Sequence, residues 1–189
     1  MDLLDILRRR IDALPAGEYS AGLRAVLQHV DVASRHLSRG QSSGDDTAFT
    51  DAIYRTNQAF EGSLKEAFRV LANKEPGKIT PAEIETYIQR ERLLRGRVVA
   101  QFAAYRKDWR NPSTHDYRMD FDEDEALLEI ISVCGFAIVL IDQISERVHF
   151  NASKASAARQ RNVEQVHGSL LDRAASAILR FYTCPRHGR

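Results

Sequence analysis

Cysteine is nearly missing: Cys134 and Cys184 are the only two in 189 residues. That excludes a disulfide framework and a cysteine-rich zinc site, and it fits a reducing cytoplasm. Proline and glycine are sparse, at 5 and 10 residues. The chain has no Gly-rich phosphate loop, no internal repeat and no convincing stretch of strand period. Charge of one sign is not in excess either. The formal net charge is +1, which gives no global bias toward nucleic acid, so any polyanion contact must be local. Long apolar runs are also missing. The most apolar stretch, Ile130 to Ile141, is bracketed by Glu129 and Asp142 and falls short of the ~20 residues a bilayer span needs. It is expected to be a core helix, with no membrane partner. The opening stretch MDLLDILRRRIDAL carries acids before bases and no apolar core with a small-residue cleavage site, so it is not expected to be a secretory signal. Asn151-Ala152-Ser153 matches a glycosylation sequon and is discounted on the same ground.

What is present is helical patterning in a chain that is 43% hydrophobic and 28% charged, long enough for one domain, or one domain with a helical appendage. Leu3, Leu4, Ile6, Leu7, Ile11 and Leu14 form a short amphipathic stripe stopped at Pro15 to Gly17. A second helix is expected from Tyr19 to Leu37, with RGQSSGDD as an exposed loop. His29 and His36 share nearly one face of it; two histidines without a third ligand in sequence do not make a metal site. Thr47 to Asn73 has Phe49, Ile53, Phe60, Leu64, Phe68 and Leu71 on its apolar side, capped by Thr47 or Thr50. On its polar side Asn57, Glu61 and Lys65 form one line. Glu61 and Lys65 are spaced for an intrahelical ion pair, and the same line is an alternative wall for a site. Thr80-Pro81-Ala82-Glu83 predicts a capping box opening a helix that bends near Gly96 and runs to Arg110. Between residues 90 and 110, seven bases (Arg90, Arg92, Arg95, Arg97, Arg106, Lys107, Arg110) face two acids, Glu91 and Asp108. They form either a solvated face or a phosphate track. A densely apolar helix follows from about Asp122 to Phe150, expected to be central and buried by several neighbours or a second subunit. Within it, Gly135 suggests a close helix crossing. Asn151 to Gln165 has the composition of a connector. Val163, Val166, Leu170, Ala174, Ile178 and Phe181 make a last stripe before the tail TCPRHGR.

The expected fold is all-α, an antiparallel four-helix-type bundle with additional N- and C-terminal helices. Residues 1–46 would supply the N-terminal helices, 47–148 the core and 149–189 a C-terminal helical extension, within one compact domain overall.

One stretch stands apart, Arg110-Asn111-Pro112-Ser113-Thr114-His115-Asp116-Tyr117. Proline lacks an amide donor and biases its predecessor away from the α region, so a helix is expected to end near Arg110. Acids from Asp116 to Glu125 suit a new helix start at Asp120 to Asp122. His115 would then lie in a short connection, where an imidazole and the Arg110 guanidinium can face one small volume.

This run resembles the signature of the HEPN superfamily, whose ribonucleases carry Arg, a polar residue, a short spacer and His between two long helices. Arg110, Asn111 and His115 fit that form, over a region of roughly residues 47 to 148. Tyr117 fits the His-x-Tyr extension of HEPN toxins paired with nucleotidyltransferase antitoxins, where it would be a target for AMPylation. The resemblance implies a metal-independent endoribonuclease without cofactors, acting on RNA as a toxin or phage-defence effector. Two motifs would meet in a composite site at a homodimer interface, and an antitoxin or defence partner would accompany it. Arg110 and His115 would be catalytic, with Asn111, Tyr117, Asn57, Glu61 and Lys65 in support. The alternatives are a non-catalytic HEPN-like module that binds nucleotide, RNA or a partner protein, and a purely structural bundle.

Overall fold

A computed structural model describes residues 2–115 and 118–182; the side chains of 115, 163, 164 and 166–182 are outside that description. The described residues are mostly helical, joined by short turns, with no strand among them. The elements are α1 (Leu3–Asp12), α2 (Ser20–Ser43), α3 (Thr47–Ala72), α4 (Pro81–Arg90), α5 (Gly96–Tyr105), a π-helical turn (Arg106–Arg110), α6 (Asn111–His115) and α7 (Glu123–Tyr182).

Two compact units divide the chain, residues 1–147 and 148–189. Helices α1 and α2 belong with α3 in the first unit. In the second unit residues 148–182 are helical and the side chains of 151–162 are exposed. The last apolar stripe falls on side chains outside the described residues, as does the tail 183–189, Cys184 included.

The first unit is built on the α2/α3 hairpin. Helix α2 does not stop at Leu37; it continues to Ser43 and ends on Gly44 in the left-handed region at φ 65°. The Gly/Ser cluster stays helical because Gly40 is buried against α3, where a Cβ would meet the Phe49 ring at 2.4 Å. Packing outweighs the weak helix preference of glycine there. Neither Thr47 nor Thr50 caps α3, whose N-cap is Asp46; Thr50 Oγ1 instead accepts from the Phe121 amide at 3.3 Å.

The long helix expected from Thr80 to Arg110 is three pieces. Its start has the predicted capping box, with the Thr80 amide donating to Glu83 Oε2 at 2.8 Å and the Glu83 amide to Thr80 Oγ1 at 3.4 Å. It breaks before Gly96, at Arg92, which takes φ 53°. There the Leu93 amide donates to the Ile88 carbonyl and the Arg92 amide to Gln89, which satisfies the last carbonyls of α4 in a Schellman turn. Arginine in the left-handed region costs ~1–2 kcal/mol.

Helix α3 lies at the centre, with Ile53, Ala59, Phe60, Leu64 and Ala67 fully buried. Phe60 packs on Tyr105 at 4.5 Å between centroids, and Phe102 meets Phe136 edge-on at 4.8 Å. The apolar start of α7 is buried on one side only, through Ala126, Ile130, Val133, Ala137, Leu140 and Ile144. Leu127, Leu128, Ile131 and Val139 are exposed on the other. Gly135 marks no close crossing among the described residues: none lies within 4 Å of a Cβ there, and it opens into a groove lined by Val98, Phe102, Ile131 and Val139. An apolar window within Glu123–Asn162 is long enough to cross a membrane by length and composition, and 44% of it is buried.

Candidate functional site

The helix does not end at Arg110. The backbone passes through a π-helical turn, with the Asn111 amide donating to the Arg106 carbonyl, and Asn111–His115 continue as α6. The π register explains how Pro112 is tolerated. In a regular α-helix its ring would meet the carbonyl four residues back and that carbonyl would lose its donor, whereas a single wider turn shifts the register. Ser113 Oγ and Thr114 Oγ1 both donate to the Arg110 carbonyl, at 3.1 and 2.7 Å. The motif is thus a helical segment up to His115, not a loop. Helix α7 starts where the acids predict it, with a reciprocal cap: the Asp122 amide donates to Glu125 Oε2 at 3.0 Å and the Glu125 amide to Asp122 Oδ1 at 2.9 Å.

Arg110 is half-buried and its guanidinium is held on both sides. One nitrogen donates to Glu61 Oε2 at 3.1 Å and another to Asn111 Oδ1 at 3.3 Å. Lys65 Nζ sits 2.8 Å from the other Glu61 oxygen, so the sequence-spaced ion pair and the site wall are the same arrangement. Partial burial pushes the Glu61 carboxyl up, but Lys65 and Arg110 outweigh it and hold its pKa below the ordinary carboxylate value. The cluster of Glu61, Lys65 and Arg110 keeps one net positive charge. One turn away on α3, buried Asn57 donates to Ser113 Oγ at 2.7 Å. All three residues of the Asn57/Glu61/Lys65 line therefore meet the motif segment or its anchor.

The backbone places His115 five residues after Arg110 at the end of α6, a separation of roughly 140° around a helix axis. The imidazole of His115 lies outside the described side chains, and Tyr117 and Asp116 outside the described residues. Of the seven bases leading to the motif, Arg90, Arg106 and Arg110 are paired, to Glu91, Glu85 and Glu61. Arg92, Arg95, Arg97 and Lys107 are exposed and make no salt bridge among the described residues. His29 and His36 stay apart from this region. His29 Nδ1 has no hydrogen-bond partner among the described residues, and His36 Nδ1 lies 3.7 Å from Asp51.

Sequence reasoning missed three buried polar residues behind the motif: Ser113, Tyr105 and Glu129. Tyr105 donates to Asn57 Oδ1 at 3.3 Å, linking α5 to the motif through α3. Glu129 was a usable signal, a lone carboxylate between Leu127-Leu128 and Ile130-Ile131 in the helical phase of the core.

Comparison with protein-family models, with curated proteins and with solved structures finds no match to this chain.

Proposed function

We propose that this chain is a metal-independent endoribonuclease of the HEPN type, acting as a homodimer. The observation that carries the proposal is the Glu61–Arg110 contact at 3.1 Å. It holds the arginine of the RNPSTHDY run at a half-exposed position, with a lysine beside it, while Asn57 ties Ser113 of the same run to the core. The four exposed bases on the approach, without a salt bridge among the described residues, would give RNA a local track, where counterion release favours a polyanion.

In the proposed reaction one His115 takes the proton of the RNA 2′-hydroxyl. The 2′-oxygen forms a bond to the adjacent phosphorus, the bond to the 5′-oxygen breaks, and a second imidazolium protonates the leaving oxygen. The products are a 2′,3′-cyclic phosphate and a 5′-hydroxyl. Arg110 clamps the phosphate and stabilises its developing charge with a planar fork. Each chain supplies one His115, so the second comes from a partner copy. The exposed Leu127, Leu128, Ile131 and Val139 on α7 support a self-complementary interface. A role as toxin or phage-defence effector, with an antitoxin or defence partner and cytoplasmic location, follows from the resemblance alone.

One observation favours a module that binds nucleotide, RNA or a partner protein without cutting it. Arg110 already spends two of its five N–H donors on Asn111 and Glu61, and the helical path to His115 separates the two motif positions around the axis. The experiment that separates the two readings is incubation of purified protein with total RNA in EDTA, comparing wild type with His115→Ala.

A further inference from the structure

Glu129 is fully buried, and neither carboxyl oxygen has a hydrogen-bond partner among the described residues. Its neighbour is the Tyr105 hydroxyl, itself buried. That hydroxyl has one proton, and it donates it to Asn57 Oδ1 at 3.3 Å. Asn57 Nδ2 donates to Ser113 Oγ at 2.7 Å, and Ser113 Oγ donates to the Arg110 carbonyl at 3.1 Å. Every donor in this series points the same way, toward the motif. At its origin Tyr105 still has lone pairs and no proton to spare. A carboxylate in that place could only accept, and would be left buried and unpaired, whereas a carboxylic acid has an O–H to give.

We propose that Glu129 is a positioning residue held as the neutral acid, whose O–H heads the hydrogen-bond series through Tyr105, Asn57 and Ser113 that fixes the Arg110 segment. Burial is the main force, pushing its pKa up from the ordinary 4.5 to about 7; the Tyr105 hydroxyl opposes it and the Glu125 carboxylate on the same helix adds to it. From α3, the uncharged Thr56 hydroxyl lies beside the Tyr105 hydroxyl. When Glu129 ionises, the tyrosine proton turns to the new charge, because charge-assisted hydrogen bonds are the stronger ones. Asn57 Oδ1 then loses its donor, and the hold on Ser113 loosens. This coupling stands whether or not the motif cleaves RNA; only its consequence for activity rests on that function.

Trp109, the single tryptophan, lies half-buried next to Arg110 and reports on the segment. The test is its fluorescence in the full-length protein from about pH 5 to about pH 9, with circular dichroism to confirm that the helices persist. Wild type should show a step centred near the Glu129 pKa. Glu129→Gln, whose amide donates at every pH, should be flat at the acid-form signal, and Tyr105→Phe should lose the step because the relay is cut. His115→Ala should keep it, which separates Glu129 from the histidine of the same sequence run. A flat wild-type titration, a step that survives Glu129→Gln or Tyr105→Phe, or one abolished by His115→Ala would each overturn the proposal.

Discussion

Glu61 accepts from Arg110 at 3.1 Å through one oxygen and faces Lys65 at 2.8 Å through the other. One α3 carboxylate thus fixes a guanidinium that is otherwise free to swing on a long side chain. Glu61→Ala should lower RNA cleavage at least tenfold by releasing Arg110, whereas its pairs, being partly solvated, contribute only ~0–1 kcal/mol to stability. Rate and thermal unfolding measured on one preparation check this. Equal activity in the variant would make the carboxylate a surface partner only. The Glu61 pKa is depressed in the fold, so its stabilising contribution is present above the unfolded value and lost as pH falls through the folded one.

Asn57 makes the other link, between Tyr105 and Ser113. Asn57→Ala leaves two buried hydroxyls short of a partner, which should cost ~1–3 kcal/mol. Urea unfolding should show the loss, and cleavage should fall more steeply than the folded fraction does.

Glu129 gives a pH signature of opposite sign to that of Glu61. Its folded pKa of about 7 lies above its ordinary 4.5, so between those values the folded state holds a proton that the unfolded state has released. Stability should therefore decline as pH rises through that window and level off above it. Glu129→Gln should match wild type near the acid end and exceed it by up to ~3 kcal/mol at pH ~8. Thermal melts across pH check this; parallel curves for the two proteins would contradict it.

Two glycines make a matched pair. Gly40→Ala drives a methyl into the Phe49 ring and should destabilise by ~1–3 kcal/mol. Gly135→Ala meets open space and should stabilise by up to ~1 kcal/mol through helix propensity. Denaturant midpoints decide both.

That contrast also shows what the sequence could reveal. Helical period and caps were legible at Thr80-Pro81, at Asp122 and along α3, because those signals are local. Gly40 and Gly135 look alike in sequence and differ only in what packs opposite. The break at Arg92 was not legible, since arginine carries no turn signal, and neither was the passage through Pro112, because a π turn is a register change without a residue code. Within the candidate site, the Asn57/Glu61/Lys65 line was visible as spacing on one helix. Glu129 was visible as a lone carboxylate in an apolar phase, but its partner Tyr105 was not, since that pairing comes from long-range packing.

The central claim is that Arg110 and His115 act together on one scissile phosphate. It is tested most directly by RNA cleavage in EDTA with wild type, Arg110→Ala, Arg110→Lys, His115→Ala and the Arg110/His115 double variant. The account predicts 2′,3′-cyclic phosphate ends from wild type and losses of roughly 10²- to 10⁴-fold for His115→Ala. Arg110→Ala should lose comparably, Arg110→Lys should recover only part because the planar fork is gone, and the double variant should be little worse than either single one. Cleavage at the wild-type rate in both single alanine variants, or cleavage that disappears in EDTA, would contradict it.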